Sequence, residues 1–440
     1  MSDAKFPALV RILPLRKPAS GTLAVPGGKS VGNRAILLAA CAGGRSVLRG
    51  LLASDDTDAA LRTLSALGVR TRLVGGALHI DGAGLDFPVR AGEIRIGSSG
   101  TVGRFLPGLL AASTDGDWTL VSTPQLAGRP LTPLVGALKG WNARLEFVEP
   151  GKSFPLRVRG GGLSGGETPV SARASSQFAS GLLLAAPLCR KPATVRIDDL
   201  DPEETYIDIT LDLMGRFGVG SKRSWKDGAL LVDFEPRRYA PADITIEADA
   251  NTAGYFFALA AVTGGRVGVA NLDAASRQPG IKFLDVLTRL GCAVDPSDGV
   301  VVSGPPHPLR GGFSIDMRAM SEMALTLGVL AVFADKPIAM TNLRHIRGHE
   351  SDRIAALAAI LRSLGAKTDE TENGIAVHPL RRENIANVVI DPLDDHRVAM
   401  SFAVLGAAAN GIAIQNPGCV KKTCPDFFTM LRRTGAALAP

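Results

Sequence analysis

Several short stretches of the chain set lysine or arginine beside glycine, serine or carboxylate, at spacings that suit anion binding and proton transfer. The first is Val25-Pro26-Gly27-Gly28-Lys29-Ser30-Val31-Gly32-Asn33-Arg34. Its glycines leave backbone N–H groups open to a ligand, Lys29 is a compact cation, and Arg34 stands one helical turn beyond Ser30. These are the parts of a phosphate-binding loop, but the order is not Gly-x-x-x-x-Gly-Lys-Ser/Thr, which argues against a nucleoside triphosphate. Gly97-Ser98-Ser99-Gly100-Thr101-Val102-Gly103-Arg104 and Gly128-Arg129-Pro130-Leu131 add two more glycine–arginine loops. Ala174-Ser175-Ser176-Gln177-Phe178 supplies two hydroxyls and an amide, which donate hydrogen bonds without adding charge.

Carboxylates enter later in the chain. Glu322 lies in Ser321-Glu322-Met323-Ala324, and Arg347-Gly348-His349-Glu350-Ser351-Asp352-Arg353 mixes acid, base and imidazole. Such groups can take up a proton from a hydroxyl, although a solvated ion-pair ladder would look the same. Asp394-Asp395-His396-Arg397 invites a Ser-His-Asp reading, but no Gly-x-Ser-x-Gly elbow accompanies it and hydrolase chemistry carries little weight. Lys421-Lys422-Thr423-Cys424-Pro425-Asp426 closes the series.

Elements of regular spacing must position these groups. Six Ala/Leu-rich helical segments open at Ser30, Thr101, Ser176, Thr252, Ser321 and His396, separated by 71, 75, 76, 69 and 75 positions. That is the period of a repeated supersecondary unit. Within each unit a β-rich stretch follows the first helix, as at 45–51. A second helix then ends at Leu67-Gly68, Phe217-Gly218, Leu290-Gly291 or Leu364-Gly365, where glycine is the expected stop. Two short strands complete a βαβαββ unit, as at 69–73 and 77–80. Six such units exceed one core, so three per domain are expected, one domain being 28–247 and the other 1–27 with 248–440. Hinges are expected near 21–27 and 235–248, where Glu235-Pro236-Arg237-Arg238 and Pro241 break the pattern. The strand at 8–13 is open to either domain. A serine or threonine at a helix start is by itself a cap; six in register would also favour anions if the helix starts converge.

Composition bounds the partners. The 440 residues are 46% hydrophobic and 21% charged, ordinary for a soluble globular protein, and carry a net charge of +7. The basic residues are scattered without aromatic interleaving, which argues against nucleic acid and for small phosphorylated anions. Five cysteines, at 41, 189, 292, 419 and 424, show no metal-type spacing and read as reduced, buried thiols. Met1-Ser2-Asp3-Ala4-Lys5 has neither signal nor transit character, and apolar runs such as 181–188 are too short to span a bilayer. A cytoplasmic protein without membrane contact is expected.

The loops, in this order, resemble those of EPSP synthases, from Val25 to Phe428. The first matches Pro-Gly-Ser-Lys-Ser-x-Ser-Asn-Arg, with Gly28 and Gly32 replacing two serines. Gly97–Arg104 is similar to Asn-Ala-Gly-Thr-x-x-Arg, with Ser98 where asparagine is usual. Ser175-Ser176-Gln177, Tyr206-Ile207-Asp208-Ile209-Thr210, Asp395-His396-Arg397-Val398-Ala399-Met400 and Lys422-Thr423-Cys424-Pro425-Asp426 match closely. Arg347–Arg353 resembles Arg-x-Lys-Glu-Thr-Asp-Arg, with His349 in place of lysine and thus a charge that depends on pH. Glu322 stands where aspartate is common. Glu203 falls where a phosphate-binding serine is frequent, and that contact is not carried over.

The resemblance implies a two-domain inside-out α/β barrel of six βαβαββ repeats. It also implies transfer of the enolpyruvyl group of phosphoenolpyruvate to the 5-hydroxyl of shikimate 3-phosphate, without metal or organic cofactor, by a monomer. Lys29, Gly100, Arg129, Gln177, Arg353, Arg397 and Lys422 would then hold phosphoenolpyruvate. Lys29, Ser30, Arg34, Ser175, Ser176, Gln177, Glu322 and His349 would hold shikimate 3-phosphate. Glu322 would take the hydroxyl proton, with Lys422, Glu350 and Lys29 as candidates for delivering one. Gly100 is the residue type of a glyphosate-sensitive site. The related transferase acting on UDP-N-acetylglucosamine fits less well, because no cysteine lies between Cys41 and Cys189 and Lys29 precedes serine rather than asparagine. A carboxyvinyl transferase with another acceptor is the enzymatic alternative. A silent anion-binding scaffold is the non-enzymatic one.

Overall fold

The structure, a computed structural model, describes residues 6–201, 205–409 and 412–439, which places Glu203 outside the described residues. The chain falls into two compact units, 27–246 and 1–26 together with 247–440. Each unit holds three four-stranded sheets of one design. Two parallel strands are followed by two antiparallel ones. Ala91–Gly97 pairs in parallel with Asp117–Ser122, which pairs antiparallel with Leu156–Arg159, which takes Arg144–Phe147 as the edge.

The parallel pair demands a helical crossover, and Gly100–Ala112 is that crossover. The antiparallel pair follows a second helix, Thr132–Gly140. The βαβαββ order expected from the sequence is therefore correct, but three repeats borrow a strand from elsewhere in the chain. Asp243–Thr245, at the end of its unit, supplies the first strand of the sheet built on Gly43–Arg49. Leu9–Leu13 lies between Ile412–Gln415 and Ala437–Ala439. Ser20–Leu23 starts the sheet of Arg266–Val269. The strand left unassigned in the sequence thus completes the last repeat of the unit 1–26/247–440.

The first helix of each repeat is internal. In Ala250–Thr263 every residue but Thr263 is buried, so the helix is enclosed on all sides rather than along one stripe. Ala324–Val332 is wholly buried and packs on Ala250–Thr263 and His396–Ala408. In the other unit Gly100–Ala112 packs against Ser176–Ala185 and Lys29–Cys41. This close approach is possible because Gly181 has no side chain: a Cβ there would stand 2.3 Å from the backbone oxygen of Arg104. Gly181→Ala is expected to cost about 1–3 kcal/mol through overpacking and to disturb Arg104. Urea unfolding of the variant measures the first effect.

The helix stops read from the sequence hold. Gly68, Gly218, Gly291 and Gly365 adopt φ of +77°, +83°, +100° and +97°, the left-handed backbone that favours glycine. The helix starts differ from the expectation. Ser175 caps its helix by accepting from Gln177 N at 3.3 Å, but the caps of Ala250–Thr263, Arg353–Ser363 and His396–Ala408 are Asp249, Asp352 and Asp395. Thr252 and His396 lie inside their helices. Ser321 sits in the 3-10 turn Arg318–Met323 that precedes Ala324–Val332. Aspartate satisfies the same orphan N–H groups as serine while adding a negative charge. In one of these starts that charge has a second use.

Among the described residues no helix is long and apolar enough to cross a membrane. No group of three or more His, Cys, Asp or Glu side chains among them is placed to hold a metal ion.

Candidate active site

In the unit 1–26/247–440 the late motifs converge on one guanidinium. Arg353 opens the helix Arg353–Ser363 and is 2% exposed. Its Nε donates to Asp395 Oδ2 at 2.8 Å, Nη1 to Glu322 Oε2 at 2.9 Å, and Nη2 to Glu350 Oε2 at 2.8 Å. Nη1 also donates to His349 Nδ1 at 2.9 Å. Because arginine only donates, that contact makes Nδ1 an acceptor and leaves the proton of a neutral His349 on Nε2.

Asp395 is fully buried and is both the cap of His396–Ala408 and the anchor of Arg353. Its Oδ1 accepts from Arg397 N at 2.9 Å and its Oδ2 from Ser351 Oγ at 3.0 Å. Arg397 pairs with Glu322 and lies 3.3 Å from the Tyr255 hydroxyl. Lys422 pairs with Glu350. Glu322, His349, Glu350, Arg353, Arg397 and Lys422 therefore form one connected network.

Charge dominates its electrostatics. Burial alone would raise the carboxyls, but Arg397 and Arg353 hold Glu322 well below the usual carboxylate range. Arg353 and Lys422 do the same for Glu350. Burial pushes Tyr255 up to about 12, keeping its hydroxyl intact. His349 is lowered by burial and by Arg353, against the pull of Glu322.

His396 is 2% exposed, and neither ring nitrogen has a hydrogen-bond partner. Burial, then Arg397, push it well below its ordinary value. The sign follows directly. Above about pH 6.5 both folded and unfolded forms are neutral, and the ring contributes nothing. Below it only the unfolded chain takes up the proton, so stability falls as pH falls, by up to about 1.4 kcal/mol per pH unit for one proton. His396→Asn is expected to flatten the dependence of Tm on pH between about 6.5 and 5. An unchanged slope would remove His396 as its source.

The unit 27–246 presents the other motifs. Lys29 begins the helix Lys29–Cys41 and pairs with Asp56 at 2.8 Å. Arg34 is 1% exposed and stacks on Phe105, with its guanidinium carbon 4.6 Å from the ring centroid. It donates to Thr210 Oγ1, Ser180 Oγ and the Ser30 carbonyl at 2.8, 3.0 and 2.9 Å. Arg34 thus fixes Ser30 from inside the fold. Ser175, Ser176 and Gln177 lie half-buried at the start of Ser176–Ala185. Gln177 Oε1 accepts from Arg104 Nη1 at 2.7 Å. Arg104 and the exposed Arg129 line a shallow hollow with Gly100, Leu126 and Phe154. Burial, then the charge of Arg129, pull Arg104 down to about 10.

Residue type and spacing point to most of these side chains but not to Asp395, Asp56 or Arg104 as their partners. The position of Asp395 directly before a helical segment is the available signal for a cap.

Repeated βαβαββ sheets bearing arginine- and lysine-rich loops define the class as an α/β enzyme for anionic substrates. The family model for EPSP synthase (3-phosphoshikimate 1-carboxyvinyltransferase) matches residues 15–431. A 3-phosphoshikimate 1-carboxyvinyltransferase 2 of Halalkalibacterium halodurans is 39% identical over 97% of this chain and 94% of its own length. The 3-phosphoshikimate 1-carboxyvinyltransferase of Shewanella pealeana is 37% identical over 95% and 97%. The solved EPSP synthase of Acinetobacter baumannii superposes with a TM-score of 0.84 at 24% identity, covering 98% of this chain and all of that one, and so shares the fold. The chain belongs to the EPSP synthase family.

Proposed function

We propose that the chain moves the enolpyruvyl group of phosphoenolpyruvate onto the 5-hydroxyl of shikimate 3-phosphate, with the residues named above in these roles. Lys29, Gly100, Arg129, Gln177, Arg353, Arg397 and Lys422 hold phosphoenolpyruvate. Lys29, Ser30, Arg34, Ser175, Ser176, Gln177, Glu322 and His349 hold the acceptor. Guanidinium forks suit the carboxylate and phosphate of the first substrate. The neutral serines and glutamine suit phosphate and ring oxygens of the second.

The chemistry is addition followed by elimination. Glu322 accepts the proton of the 5-hydroxyl, whose oxygen bonds to C2 of phosphoenolpyruvate while an acid protonates C3. Lys422 or Lys29 supplies that proton, and Glu350, held ionised by Arg353 and Lys422, can do so only once the substrate draws those cations away. The resulting tetrahedral phosphate-bearing intermediate loses phosphate and a proton from its new methyl group, which restores the double bond. His349, with its proton on Nε2, donates to a substrate hydroxyl.

The observation that carries this reading is the ion-paired network around Arg353, which gathers residues from 322 to 422 of the sequence. A merely solvated ladder would not bury its hub. The test is phosphate release from phosphoenolpyruvate with shikimate 3-phosphate, with UDP-N-acetylglucosamine, and with neither. Release with shikimate 3-phosphate alone is expected. Release that is independent of it would refute the assignment.

A further inference from the structure

Two arginines of the network share one oxygen. Glu322 Oε2 accepts from Arg353 Nη1 at 2.9 Å and also faces Arg397 Nε. Arg353 keeps two further carboxylates, Glu350 and Asp395. Arg397 does not: among the described residues Glu322 is its only carboxylate within ion-pair distance. Its Nη1 is turned to the Tyr255 hydroxyl. With Glu322 lying against Nε, an incoming carboxylate cannot take the Nε edge of Arg397 bidentately. A buried guanidinium stripped of its counter-charge is strongly unfavourable. One carboxylate must leave only as another arrives.

We propose that Glu322 is a built-in competitor for the substrate carboxylate, filling the Arg353–Arg397 seat in the free protein and yielding it to phosphoenolpyruvate. This rests on the assignment of those arginines to phosphoenolpyruvate made above. Side-chain length matters here, because glutamate reaches one methylene farther than aspartate and so spans to both guanidiniums. The exchange also links binding to chemistry. Once released from the two arginines, Glu322 regains affinity for a proton, and it does so beside the neutral His349 ring, whose Nδ1 is 4.0 Å from Glu322 Oε1. Substrate binding then prepares the base.

Calorimetric titration of the full-length protein with phosphoenolpyruvate alone tests the exchange, because no turnover occurs without an acceptor. Glu322→Gln is expected to bind it about tenfold more tightly than the unsubstituted protein, the scale on which a close ion pair competes. Glu322→Asp, which keeps its charge but loses reach, should bind with an affinity between the two. Unchanged or weaker binding in both variants would overturn the proposal. If the unsubstituted protein turns over shikimate 3-phosphate but neither variant tightens, the competitor idea falls and the functional reading stands. If both variants tighten while no turnover is found, the reverse holds.

Discussion

Arg353→Met is expected to lower the stability of the chain by about 3–5 kcal/mol, the usual loss when one partner of a buried ion pair is removed. The reason lies less in the bonds broken than in the group left behind. Asp395 is fully buried, and without Arg353 it keeps only the Ser351 hydroxyl and the backbone N–H of Arg397. Glu322 and Glu350 are less affected, because Arg397 and Lys422 remain to pair with them. Combining Arg353→Met with Asp395→Asn should therefore recover part of the loss, since asparagine caps a helix as well as aspartate does and carries no charge to strand. Urea unfolding of the two single variants and the double variant checks this. A loss below about 1 kcal/mol for Arg353→Met, or a double variant equal to the sum of the singles, would show that Asp395 does not depend on Arg353.

That dependence explains which parts of the protein could be read from the sequence. Periodicity at about 75 residues and the Leu-Gly and Phe-Gly stops reveal the repeat, because helix length and left-handed glycine are local properties. Strand exchange is not local. Nothing around Leu9–Leu13 announces that it pairs with Ile412–Gln415, about 400 positions away, because its alternation fits any half-buried sheet. The site divides in the same way. Lys29, Glu350, Arg397 and Lys422 stand in motifs whose residue types announce anion chemistry. Asp395 looks like a neighbour of His396 until the fold turns it onto Arg353. His396, the more conspicuous residue of that motif, turns out to be a buried ring with no hydrogen-bond partner. A charged residue acquires its role from what it is buried against, and sequence spacing carries no information about that across separate helices.

Glu322→Gln is expected to reduce turnover by about 100-fold, the lower range for loss of a general base, while leaving shikimate 3-phosphate bound. Glutamine matches the size of glutamate and can still hydrogen-bond Arg353, so the site should keep its shape and lose only its proton acceptor. The resting ion pairs sharpen this expectation. Two guanidiniums hold Glu322 far below the usual carboxylate range, which makes it a weak base as long as they face it. Its catalytic use requires that the substrate carboxylate first take those guanidiniums. Turnover and phosphoenolpyruvate affinity should consequently move in opposite directions in Glu322→Gln, with turnover falling as binding tightens. A purely structural residue would weaken both. If turnover were unchanged, the hydroxyl proton would have to go elsewhere, and His349 beside Glu322 would become the group to substitute next.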